Sequence, residues 1–105
     1  MRENEYQAYL IKKLKALFPG CVVLKNDSSY IQGIPDLLIL HNEHWAMLEV
    51  KATSRSRAQP NQEYYIDLLD TMSFASFICP ENEEDVLYDL QQAFGISRPT
   101  RVLKR

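Results

Sequence analysis

Gly33-Ile34-Pro35-Asp36-Leu37-Leu38-Ile39-Leu40, a polar break His41-Asn42-Glu43-His44, then Trp45-Ala46-Met47-Leu48-Glu49-Val50-Lys51: this stretch decides the fold. The two apolar runs read as strands. Their only ionisable side chains are Asp36, Glu49 and Lys51. The break suits a hairpin loop of about four residues. Placed symmetrically about Asn42 and Glu43, the hairpin sets Asp36 opposite Glu49. Cross-strand neighbours have Cβ atoms roughly 4.5–5.5 Å apart, and directly opposed like charges destabilise a sheet. Two such carboxylates among Leu, Ile and Val need something to neutralise them, and a divalent cation with oxygen ligands would do so. Lys51 follows Glu49 by two residues and leaves the strand on the same face. Two acids and a lysine then converge on one spot.

Working outward, residues 3–18 carry Tyr6, Leu10, Leu14 and Leu17 at helical spacing, joined by Tyr9, Ile11 and Phe18. The pattern puts Lys12, Lys13 and Lys15 on the opposite side, and Pro19-Gly20 stops the helix. Glu3 and Gln7 share a face near its start, with Glu5 a competing acid. A short strand is predicted over residues 21–25, then a polar loop from Asn26 to Gly33. After Lys51 comes a polar, basic segment with Arg55 and Arg57. A helix is predicted over 60–72, with Pro60 in its first turn and Tyr64, Tyr65, Leu68, Leu69 and Met72 as its apolar stripe. A strand over 74–79 and an acid-led helix over 80–94 follow, and Gly95 ends the chain's last element. The order αβββαβα implies an α/β sandwich: a mixed sheet, antiparallel at its hairpin, with helices on its faces. The strand at 74–79 follows a helix, so it should pair parallel to the Glu49 strand through a right-handed crossover. The aromatic residues read mostly as core.

In this setting Pro35-Asp36 followed by Glu49-Val50-Lys51 resembles the PD-(D/E)XK nuclease signature. The surroundings narrow the resemblance to the stand-alone VRR-NUC type, related to Holliday-junction resolvases. That pattern has a helix with an early Glu, a Gly-Xaa-Pro-Asp strand, a Glu-Xaa-Lys strand and a Pro-Xaa-Gln opening the next helix. Here Glu3, Gly33-Ile34-Pro35-Asp36, Glu49-Val50-Lys51 and Pro60-Asn61-Gln62 occur in that order, across roughly residues 3–90. Each motif alone is common by chance, and the ordered set is what carries weight.

The resemblance implies a restriction-endonuclease-like core of αβββαβ order and a hydrolase dependent on Mg²⁺ or Mn²⁺. Asp36 and Glu49 would hold the metal, with the Val50 backbone carbonyl and Glu3 as further ligands. Lys51 would orient the attacking water and offset phosphate charge, and Gln62 would complete the catalytic set. Lys25, Ser28, Ser29, Arg55 and Arg57 are candidate phosphate contacts on the DNA. The implied activity is a structure-specific endonuclease on branched DNA such as a Holliday junction. Two symmetric cuts call for a homodimer. The alternatives are a non-catalytic DNA- or protein-binding domain on the same fold, or a nuclease for linear or flapped duplex. A sequence-specific nuclease would need recognition elements that 105 residues leave little room for.

Composition agrees with these bounds. A chain of 105 residues makes one domain, residues 1–105, with a core that needs no staples. Its 46% hydrophobic and 25% charged residues are ordinary for a soluble protein. No apolar run approaches a membrane span, and the N-terminus does not begin a secretory signal. Cys21 and Cys79 read as buried thiols in a reducing cytoplasm. A zinc site built from them with His41 and His44 lacks any Cys-Xaa-Xaa-Cys spacing. The net charge of −2 hides an uneven distribution. Residues 1–62 hold eight Lys or Arg against six Asp or Glu, residues 63–97 hold eight acids and no base, and 98–105 carry Arg98, Arg101, Lys104 and Arg105. Phosphate binding needs a local basic patch, not a high overall pI.

Overall fold

The two apolar runs form a hairpin, β2 (Leu37–His41) and β3 (His44–Val50), paired antiparallel with Leu37 opposite Leu48 and His41 opposite His44. The register is the symmetric one, but the loop is tighter than four residues. Both histidines stay in the strands, and only Asn42 and Glu43 turn, with Asn42 at φ 55°. Asparagine tolerates that left-handed conformation, which a two-residue hairpin turn requires. A computed structural model describes residues 1–96 and Arg101 of the chain.

Strand β1 (Val22–Lys25) pairs antiparallel with β2, and β4 (Phe74–Ile78) pairs parallel with β3, giving the order β1-β2-β3-β4. Helices α1 (Glu3–Leu17), α2 (Gln62–Met72) and α3 (Glu83–Ala93) complete the αβββαβα order. Strand alternation sorts the side chains. Leu37, Ile39, Ala46, Leu48, Val50 and Ile78 face one side and bury against Tyr6, Leu10 and Leu14 of α1 and Val86, Leu87 and Leu90 of α3. Met47, Ala75 and Phe77 face the other side, beneath Ile66 and Leu69 of α2. Asp36 and Glu49 share the parity of this second face, so α2, not α1, roofs the two acids.

Three expectations need correction. Helix α2 starts at Gln62, after Asn61 in a left-handed conformation, and its buried residues are Ile66 and Leu69. Tyr64 and Met72 are exposed. Of the expected apolar stripe Leu69 is buried, and the helix is rotated so that Ile66 joins it against Ala75 in place of Tyr64 and Met72. Helix α3 starts at Glu83, after a turn in which Asn82 Oδ1 accepts from the Cys79 N–H at 2.8 Å. Lys13 is not on the solvent side of α1. Its ammonium pairs with Glu83, which is fully buried and also accepts from the Tyr6 hydroxyl at 2.7 Å. Burial is the largest effect on Lys13 and pulls its pKa down, but the hydrogen bonds and charges of Glu83 and Tyr9 together outweigh it and the net shift is upward. Burial, reinforced by Glu83, also pushes the Tyr6 hydroxyl well above its ordinary range. This network clamps α1 to α3. Cys21 and Cys79 are free thiols, half-buried and buried.

Candidate active site

Asp36 lies just before β2, where Pro35 interrupts the ladder. Continued past Leu37–Leu48, the register puts Pro35 opposite Val50. Proline has no N–H to offer the Val50 carbonyl. The Val50 N–H turns instead to the Asp36 carboxylate, at 2.9 Å from Oδ2. Asn26, just after β1, secures the same segment: its backbone N donates to Asp36 O and its side-chain Nδ2 to Pro35 O, both at 2.8 Å. The Pro-Asp pair thus frees one carbonyl and aims one carboxylate at the end of β3.

Glu49 is 2% exposed, and its Oε1 is a buried oxygen with no hydrogen-bond partner. Burial, then the charge of Asp36, pushes its carboxyl from 4.5 up to about 8, with Lys51 pulling the other way. The other oxygen is held by Gln62, whose Nε2 donates to Glu49 Oε2 at 2.9 Å. Gln62 Oε1 accepts from Lys51 Nζ at 2.8 Å and from the Gln59 N–H at 2.7 Å. These two donors set the amide's orientation, since only its oxygen can receive them. Lys51 Nζ stands 3.7 Å from Glu49 Oε2. Gln62 is therefore a bridge between acid and lysine.

Gly33 explains how α2 reaches the carboxylates. Its φ is 93°, and a Cβ there would meet Asn61 Cβ at 2.6 Å and Pro60 O at 2.9 Å. Only glycine lets the loop before Asp36 lie against the loop that opens α2. Two separate sequence motifs are thereby pressed together.

Of the residues singled out from sequence, Asp36, Glu49, Val50, Lys51 and Gln62 come together. Glu3 is exposed and contributes only the smallest of the charge effects on Glu49. Its helix lies on the other face of the sheet, so it approaches from around the end. Among the described residues no three Asp, Glu, His or Cys side chains are grouped to hold a metal, and Glu3 does not complete the pair into a cluster. Glu5 accepts from the Arg2 N–H at 2.9 Å and caps the helix. Lys25 at the end of β1 and Ser28, Arg55 and Arg57 on loops are exposed. Ser29 is different: its hydroxyl and N–H both donate to Asp27 Oδ1, at 2.6 and 2.9 Å. Arg101 turns onto the acidic face of α3, 2.7 Å from Asp85 and over the Tyr88 ring. Arg98, Lys104 and Arg105 lie outside the described residues. Beside Lys51 an open cleft of about 290 Å³ runs past Thr53, Ser54 and Ser56 to Phe77 and Asn82. Asn26 was not singled out from sequence. An asparagine after a strand is a generic turn residue, and nothing local ties it to Pro35.

A solved structure described as a VRR_NUC domain protein superposes on this chain with a TM-score of 0.66. The match covers 98% of each chain at 20% sequence identity, and it is a likeness of fold. No family model matches the sequence, and no curated protein does.

Proposed function

We propose that this chain is a metal-dependent, structure-specific endodeoxyribonuclease of the VRR-NUC type, hydrolysing phosphodiesters in branched DNA. The observation that carries the reading is buried Glu49 beside half-buried Asp36, joined to Lys51 through Gln62, with one Glu49 oxygen lacking a hydrogen-bond donor. A buried carboxylate oxygen with no donor, beside a second carboxylate, is one that a cation would satisfy. The shared fold supports the same reading.

The donor set is all oxygen, as Mg²⁺ and Mn²⁺ prefer. Asp36 and Glu49 would hold the ion, with the Val50 carbonyl opposite Pro35 as a further ligand. When bound, the ion supplies charge stabilisation at the phosphate and a more acidic water. Lys51 sits beside Glu49, where its ammonium orients the water and offsets charge on the phosphate. Gln62 holds Lys51 and Glu49 in that relation. Lys25, Arg55, Arg57 and the Ser28 hydroxyl meet the DNA backbone, which makes binding salt-dependent and indifferent to base identity. A two-fold dimer would present two such sites to the symmetric strands of a four-way junction.

The test is cleavage of linear, nicked, flapped and four-way DNA at matched salt, with Mg²⁺, Mn²⁺ or Ca²⁺. Branched DNA should be cut first, Mg²⁺ or Mn²⁺ should be required, and Asp36→Asn and Glu49→Gln should each abolish the reaction. Equal cutting of linear and four-way DNA would sink the junction reading alone. Near-wild-type cutting by either variant would sink the metal site.

A further inference from the structure

The loop between β1 and β2 is tied down at both ends, yet it displays an aromatic ring to solvent. At its start Asp27 Oδ1 accepts two hydrogen bonds from Ser29, and Asp27 O accepts the Tyr30 N–H at 3.1 Å. At its end Ile34 N donates to Ile31 O, and Gly33 is wedged against Pro60 and Asn61. Tyr30 in the middle is 85% exposed, more than any other large hydrophobic side chain among the described residues. Held backbone with a bare ring is the arrangement of a contact surface, since an ordered loop presents it at little entropic cost.

Behind the ring is a hollow of about 330 Å³, lined by Asn26, Asp27, Tyr30, Ile31 and Ile34. That volume is at the lower end of small-ligand sites. Its composition is two-sided. Tyr30, Ile31 and Ile34 offer apolar contact, while Asn26, whose donors already serve Pro35 and Asp36, and Asp27 bring acceptor oxygens that suit the exocyclic amine of a base. A phosphate is a poor occupant, because the Asp27 carboxylate repels it and the Ser29 hydroxyl is already committed. A planar ring with apolar faces and a polar edge suits both halves, which is the description of a nucleobase. The location agrees: Asn26, on the hollow's wall, bonds through its backbone to Asp36.

We propose that this hollow is a nucleobase subsite, holding one unpaired base of the DNA on Tyr30 beside the bond to be cut. The inference rests on the nuclease reading and deepens it. A base can enter only when out of its duplex stack, so the subsite favours DNA with unpaired or splayed nucleotides at the branch. The occupant is stacked, not read: one aromatic face accepts any base, in keeping with recognition of shape.

The experiment uses the full chain, Ca²⁺ in place of Mg²⁺, and a branched DNA with 2-aminopurine at an unpaired position next to the branch. Wild-type protein and Tyr30→Phe should quench the probe's fluorescence on binding. Tyr30→Ala should lose the quenching and weaken binding roughly tenfold, the value of one stacked base. The ring is exposed, so its removal leaves the fold intact, which circular dichroism verifies. Quenching and affinity that survive Tyr30→Ala overturn the subsite. So does a variant whose only change is in self-association, because the ring would then serve a second copy of the chain. The readout needs no cleavage and is separable from the parent reading. Tyr30-dependent quenching with no wild-type cleavage of any DNA would sink the nuclease and keep the base site.

Discussion

Replacing Glu49 with glutamine should stabilise the metal-free protein, by an amount that grows with pH. The carboxyl is nearly sealed from water, one of its oxygens has no partner, and burial with Asp36 moves it from 4.5 to about 8. In the unfolded chain the same group ionises near 4.5. Between those values the native state holds a proton that the unfolded state has lost. Native stability is therefore full below about pH 4.5 and falls as pH rises through about 8. At about 1.36 kcal/mol per unit, the loss reaches about 3 kcal/mol at neutral pH and about 5 kcal/mol once Glu49 is fully ionised. The glutamine amide has no such ionisation and escapes the penalty. Urea denaturation in EDTA at about pH 5, 7 and 9 measures the gap between wild type and Glu49→Gln, which should widen at each step. Excess Mg²⁺ should close the gap at high pH, because it binds only the native carboxylates. Metal affinity should weaken as pH falls below about 8, since the ion must displace the proton. Parallel pH–stability curves for the two proteins would refute the reasoning, as would a variant less stable than wild type at high pH.

Other perturbations test separate parts of the site. Lys51→Ala should cut turnover severely with modest loss of DNA affinity in single-turnover assays, because its charge matters most in the transition state. Glu3→Ala should slow cleavage more than Glu5→Ala, whereas Glu5→Ala should cost about 1 kcal/mol of thermal stability through its lost helix cap. Gly33→Ala should cost about 2–4 kcal/mol on denaturation, since it combines a left-handed φ with contacts under 3 Å to Asn61 and Pro60. That variant should also lose cleavage at temperatures where it remains folded, because the Asp36 and Gln62 loops would be forced apart.

The hairpin and its register were legible in residues 33–51 alone. Alternating apolar side chains set which residues share a face, and symmetry about Asn42-Glu43 set which ones are opposed. Both are local, and together they placed Asp36 against Glu49. The helix of Glu3 and the parallel crossover to Phe74–Ile78 followed from periodicity and chain order. Local pattern could not rotate α2, where apolar spacing put Tyr64 and Met72 in one stripe with Leu69, while packing beside Ala75 buried Ile66 with Leu69 and left Tyr64 and Met72 exposed. Nor could it pair Lys13 with Glu83 across seventy residues. The same holds for the clasp of Gln62 on Glu49 and Lys51, which exists only because Gly33 lets two distant loops touch. A sequence carries the preferences of neighbours along the chain. Which lysine is buried, which tyrosine stays in water and which amide reaches a carboxylate are settled by packing between elements, where shape and desolvation outweigh local pattern.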